Sequence, residues 1–212
     1  RRTQLLKDGK KLSDVTRSLS QSLGVQHIIL PMAENPVQTI VKTDKGELGF
    51  QEYFVKYQCA PKVEQINYVG NETAEIPIYL KELINKNKLS GVIICPSNPY
   101  LSVDPILSIN EIKTFLLETS IPILAISPII ANDSIKGPTS KIMKEMKINP
   151  SVESIAHHYS GLIDVLVIDH KDANCHPMTD SMTFIVDSIY MSNLEDKISL
   201  ATNCLKKIKE LS

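Results

Sequence analysis

The sequence has no tryptophan, and only 5% of its 212 residues are aromatic. Any local crowding of rings therefore stands out. The four cysteines (Cys59, Cys95, Cys175 and Cys204) are far apart and form no CxxC pair. That excludes a disulfide framework and the common zinc patterns, and fits reduced thiols in the cytoplasm. No apolar run approaches the ~18 residues of a membrane span. The first residues, RRTQLLKDGKKLSD, are polar and do not read as a signal peptide. Neither sign of charge dominates, with 23 basic and 24 acidic residues and a net charge of −1. The basic face that nucleic acid usually requires is thus missing. There is no phosphate-loop or dinucleotide fingerprint, no repeat and no low-complexity linker. What remains is ordinary for a globular chain: 42% hydrophobic and 22% charged residues. The length allows one large domain, or a core with a smaller lobe, and can bury a core without staples.

Residues 91–107, GVIICPSNPYLSVDPIL, organise the rest. Val92, Ile93, Ile94 and Cys95 form an unbroken apolar run that Pro96-Ser97-Asn98-Pro99 stops. Such a run predicts a strand buried on both faces, as in a parallel sheet. Ligands of open parallel sheets sit past the carboxyl ends of the strands, where Ser97 and Asn98 fall. A second copy follows: residues 122–126 (PILAI), then Ser127-Pro128-Ile129. The pair reads as two walls of one pocket, or as two plain turns, since Ser, Asn and Pro are common turn residues.

In chain order, Ser13 is a candidate cap for a helix over 14–23, and Gly24 ends it. A short strand is expected over 25–30, then the acidic turn Met32-Ala33-Glu34-Asn35-Pro36. Val37, Thr39 and Val41 alternate with polar residues, and Thr43-Asp44-Lys45-Gly46 signals a hairpin whose return strand begins at Leu48 and Phe50. Phe50, Tyr53 and Phe54 form the aromatic-dense segment (FQEYF). It is either core beneath the hairpin or a platform for a flat ring. Residues 63–69 predict another strand. Pro77 suits the first position of a helix whose buried stripe is Ile78, Leu83 and Ile84, and Asn110 caps the next helix.

Residues 129–138 read as a loop. Lys136-Gly137-Pro138 before a helix at Thr139 could help hold an anion, or be an ordinary exposed loop. Ser151 caps a helix to about residue 162, and 164–169 (DVLVID) is an apolar strand. His170, Asp172, Cys175 and His176 could form a metal site, but they match no standard zinc spacing and read rather as a solvated loop. A strand over 183–189 follows. Ser192-Asn193-Leu194-Glu195 resembles a capping box for a helix lined by Ile198, Ala201, Leu205 and Ile208. From Ile78 onward strands and helices alternate, which argues for a parallel α/β sheet, with residues of about 35–70 as a β-containing insertion.

In order along essentially the whole chain, the motifs RTQLLKDGKKLS, LPMAENPV, FQEYF, PSNP with Pro105-Ile106, SPII, KGP and HYSGLIDVLVID resemble the 2-phospho-L-lactate transferases (CofD-type) of coenzyme F-420 biosynthesis. No one tetrapeptide is specific; the ordered set is. The resemblance implies a single Rossmann-like, three-layer α/β domain with a mostly parallel sheet, and a homodimer. It implies transfer of a phospholactyl group (or a phosphoenolpyruvyl or phosphoglyceryl analogue) from a guanosine-diphosphate-activated donor to the hydroxyl of the deazaflavin Fo. GMP leaves and Mg2+ is required. Carried over by motif, the guanine nucleotide lies against Ser97, Asn98, Pro99, Ser127, Pro128 and Ile129, with Lys136 and Gly137 beside the phosphates. A weaker placement puts the acceptor Fo near Met32, Glu34, Asn35, Phe50, Glu52 and Tyr53.

The family's Gly-rich first loop and acidic pair have no counterpart here, and those acids are the natural metal-holding or activating groups. Catalytic and metal residues within these 212 positions are therefore not assigned, and the chain alone is expected to be inactive. The sequence reads as the carboxyl-terminal portion of a longer transferase or as a shortened relative. The first is favoured, because losing the first strand would leave an uncovered sheet edge. The rival from another class is a non-catalytic nucleotide- or nucleotide-sugar-binding regulator of the related gluconeogenesis-factor family.

Overall fold

A computed structural model describes residues 1–135, 137–175 and 182–212. The chain opens with α1 (Arg2–Lys7) and α2 (Leu12–Ser22). Lys11, not Ser13, holds the cap position of α2. The Glu34 carboxylate takes over the capping, accepting the Ser13 N–H at 3.1 Å. Gly24, at φ +75°, turns the chain out of α2. The strand expected over 25–30 does not form; these residues are irregular, and Ile28 and Ile29 are exposed. β propensity alone makes no strand where no neighbouring edge accepts the ladder.

Next comes a three-stranded antiparallel sheet in the order β2-β1-β3, from β1 (Gln38–Thr43), β2 (Gly46–Gly49) and β3 (Val63–Val69). Gly46, at φ +97°, closes the β1–β2 hairpin, and the Thr43 hydroxyl donates to its carbonyl at 2.9 Å. The return strand ends at Gly49, short of Phe50. Residues Glu52–Lys56 then form a π-helical turn.

The main layer follows: α3 (Ile78–Asn85), β4 (Val92–Ile94), α4 (Asp104–Leu107), α5 (Asn110–Glu118), β5 (Ile123–Ile126), β6 (Ile129–Ile130), β7 (Asp133–Ser134), α6 (Thr139–Glu145), α7 (Val152–His158), β8 (Val165–Asp169), β9 (Thr183–Asp187) and α8 (Leu194–Leu211). The sheet order is β4-β5-β8-β9, parallel throughout. β5 and β8 are buried along their whole length, as their apolar runs require. β4 is only half-buried because it is an edge strand. One face of the sheet packs on α5, α6 and α7 and on the three-stranded sheet, through Leu116, Met143, Ile155, Val41 and Tyr53. The other face packs on α8 through Leu200, Cys204 and Ile208. The result is a three-layer, Rossmann-like α/β fold with a hairpin-bearing sheet beside it.

Several boundaries differ from expectation. Pro77 and Ile109 precede their helices as caps, and Ile78 is exposed. α7 ends at His158, four residues early. Residues 129–134 form a small hairpin, with Ala131 and Asn132 at φ +50° and +62° in its two-residue turn. At α8 the capping box is Asn193 with Asp196, one residue on from the expected pair. The buried stripe is accordingly Leu200, Cys204 and Ile208, while Ile198 and Leu205 face outward. No helix among the described residues is long and apolar enough to cross a membrane.

Candidate functional site

Ile94 of β4 lies opposite Ala125 of β5 in parallel register. Residues 95–99 and 127–129 therefore leave the sheet side by side at its carboxyl end. The two turns are built differently. Ser127 is fully buried; its hydroxyl donates to the Ile129 carbonyl at 2.9 Å and accepts the Ile129 N–H at 3.1 Å. Pro128 has no N–H, so the hydroxyl closes the turn on the next residue. Ser127 and Ile129 thus shape a buried wall, and the Ser127 hydroxyl does not point into an open pocket as expected from the sequence.

Ser97 is half-buried, and no side-chain hydrogen bond holds it among the described residues. Asn98 caps a second π-helical turn, Pro99–Val103. Its side-chain oxygen accepts the Leu101 N–H at 3.0 Å, and its carbonyl accepts the N–H of Ser102 at 3.0 Å. Its Nδ2 is buried without a partner among the described residues. An unpaired buried donor costs about 1–3 kcal/mol, so an incoming acceptor oxygen there would recover that cost.

Gly137, at φ +73°, lines a groove of about 650 Å³ with Asp133, Ser134, Ser140 and Lys144. Lys141 borders the same groove but is committed to Glu145 at 2.6 Å and to the Pro61 carbonyl at 3.0 Å. Lys136 lies outside the described residues. A second cavity, about 720 Å³, opens between α3 and α5 near the amino ends of β4 and β5. Neither cavity reaches Ser97 or Ser127.

The expected acceptor residues divide. Tyr53 is fully buried, with its hydroxyl 3.5 Å from the Cys59 carbonyl, so its ring is core. Phe50 stacks on Phe54 at 5.4 Å, and Phe54 remains 43% exposed. The stacked pair is the part of the segment able to meet a flat ligand. Glu52 bridges Lys56 at 2.7 Å on the surface. The Glu34 backbone N–H donates to the Glu75 carbonyl at 2.8 Å, and the Asn35 side chain accepts the Glu75 N–H at 3.0 Å. With the Glu34 carboxylate on Ser13, residues 34 and 35 act here as staples. Met32 is half-buried against the core.

No three His, Cys, Asp or Glu side chains converge in a metal-holding group among the described residues. Buried Asp169 accepts the Lys171 N–H at 3.1 Å, and both oxygens of buried Asp172 accept the Ala131 N–H at 3.1 and 3.0 Å. The loop expected to be solvated thus contains a buried structural carboxylate; His176 lies outside the described residues. The described residues thus do not fit a protein-held Mg2+.

Two features were not read from the sequence. One is the His158–Asp104 contact at 2.8 Å; the other is the orphaned Asn98 amide. The only signal for the first was the His158-Tyr159 dipeptide at a helix end.

A parallel α/β sheet with two polar turns at adjacent strand ends defines a Rossmann-like protein. Residues 1–197 match the family described as 2-phospho-L-lactate transferase CofD, and the chain belongs to that family. It is 34% identical to the 2-phospho-L-lactate transferase of Methanopyrus kandleri, over 99% of this chain and 67% of the relative. It is also 34% identical to that of Methanocaldococcus jannaschii, over 97% of this chain and 66% of the relative. The chain thus spans about two thirds of the length of these curated relatives. A solved structure of a UPF0052-family protein from Bacillus halodurans shares the fold, with a TM-score of 0.61 at 14% identity over 93% of this chain and 67% of the other.

Proposed function

We propose that this chain is the nucleotide-holding portion of a phospholactate-type transferase acting in coenzyme F-420 biosynthesis. The whole protein moves a 2-phospholactyl group, or a phosphoenolpyruvyl or phosphoglyceryl analogue, from a guanosine-diphosphate-activated donor to the hydroxyl of Fo. GMP is released, Mg2+ assists, and the protein works as a cytoplasmic homodimer. Family membership over residues 1–197 carries this reading. The geometry supports it in two ways. The turns at Ser97-Asn98 and Ser127-Pro128 adjoin at the carboxyl end of parallel strands, the place where such sheets take ligands. The stacked Phe50–Phe54 pair also offers a partly exposed aromatic surface to a planar acceptor.

The test is a transfer assay on protein from the complete reading frame, with Fo, each guanosine-diphosphate-activated donor and Mg2+, read by mass spectrometry. Formation of an Fo adduct together with GMP is expected. If no donor yields an adduct while guanine nucleotide still binds, the reading falls to a non-catalytic nucleotide-binding regulator.

A further inference from the structure

Side chains from four elements meet around the turn Pro99–Val103. Tyr68 comes from β3, Tyr100 and Asp104 from the π-helical turn and α4, and His158 and Tyr159 from the end of α7. His158 Nε2 lies 2.8 Å from Asp104 Oδ1. The Tyr68 hydroxyl donates to the Tyr100 carbonyl at 2.5 Å and stands 3.5 Å from Asp104 Oδ2. The His158 ring makes edge contacts with Tyr100 at 5.1 Å and Tyr159 at 5.0 Å. The side chains of His158 and Asp104 are only 22% and 20% exposed, so water competes for this hydrogen bond less than at the surface.

We propose that Asp104 and His158, with Tyr68, are positioning residues that hold the turn bearing Ser97 and Asn98 in its binding shape. This rests on the nucleotide-site reading above.

The element under constraint is the π-helical turn Pro99–Val103. Such turns are rare, and an unfavourable backbone persists only where its surroundings over-determine it. Asn98 is fixed by that turn through the N–H groups of Leu101, Ser102 and Val103. The turn's far end is fixed by Asp104, and its middle by the bond from Tyr68 to the Tyr100 carbonyl. Loosening Asp104 therefore frees the segment that orients the Asn98 amide. Burial, then the Asp104 charge, pushes the Tyr100 phenol up to about 12 and raises Tyr68 as well, which keeps Tyr68 a protonated donor. None of the three side chains is needed to touch a ligand, so their effect is indirect.

The test compares His158→Ala, Asp104→Asn and His158→Gln, whose amide can still donate to Asp104. GDP affinity is measured by calorimetry well below each variant's melting temperature. Amide hydrogen exchange of Leu101, Ser102 and Val103 is measured in parallel. Positioning requires faster exchange at those three amides and GDP binding weakened about tenfold or more in His158→Ala, with both restored in His158→Gln. Unchanged exchange at the three amides in folded His158→Ala overturns the proposal. So does a lower melting temperature with GDP affinity intact. If wild-type protein binds no GDP, the site reading fails alone, and the exchange comparison still decides the positioning role.

Discussion

Asp172 sits in a loop whose composition suggests solvent, yet it is 4% exposed. Both its oxygens face the Ala131 N–H, at a residue with φ +50° in the turn of the β6–β7 hairpin. A carboxylate is needed there because a tight turn with positive φ leaves its N–H without a ladder partner. Nothing in the local sequence marks this, since Asp172 and Ala131 are 41 residues apart. Asp172→Ala should cost about 1–3 kcal/mol and lower the melting temperature by several degrees, read by calorimetry. An unchanged melting temperature would show that water replaces the carboxylate.

The buried tyrosines give a pH dependence. Burial raises the phenols of Tyr53, Tyr68 and Tyr159, and places Tyr100 at about 12. Their folded values lie above the unfolded value of about 10. Their contribution is thus complete below pH 10 and is lost as pH rises from there through 12. Denaturation midpoints should fall from about pH 10 upward, in step with phenolate absorbance. Ionisation of Tyr53, Tyr68, Tyr100 or Tyr159 at pH 10 without loss of stability would contradict the burial argument.

At the scale of elements, what the sequence revealed tracks how much burial constrains a segment. The runs ILAI and VLVID read as central strands and are buried throughout. Residues 25–30 carry similar β-forming side chains but have no edge to pair with, so pattern alone overreached. On α8 the expected lining was Ile198, Ala201, Leu205 and Ile208. The fold buries Leu200, Cys204 and Ile208 against the sheet, so Ile208 is as expected while Ile198 and Leu205 face outward. That packing leaves little slack. A Cβ at Gly91 would stand 2.4 Å from Ile208 Cγ2 and 3.1 Å from the Pro122 carbonyl. Gly91→Ala should destabilise by about 1–3 kcal/mol, and it should cost less in an Ile208→Ala background, which lacks the clashing Cγ2. Additive losses in the double variant would mean that the two residues do not share this space.

For the whole molecule, the layer order and the paired strand ends were legible because apolar runs and turn residues are local signals. The site's inner wiring was not. Ser127 looked like a ligand-facing hydroxyl and instead closes its own turn, while Asn98 acquires an orphaned amide from a π-helical turn that no pattern announces. The proposed guanine-nucleotide role therefore concentrates on Ser97 and Asn98, with Ser127, Pro128 and Ile129 as the buried backing. The most direct test is a calorimetric titration of the full protein with GDP, repeated for Ser97→Ala and Ser127→Ala under conditions where both are folded. Wild type should bind at one site per chain. Ser97→Ala should lose about 1 kcal/mol, roughly fivefold in affinity, whereas Ser127→Ala should act mainly on stability. No GDP binding by wild type, or affinity unchanged in Ser97→Ala, would contradict the assignment of this turn as the nucleotide wall.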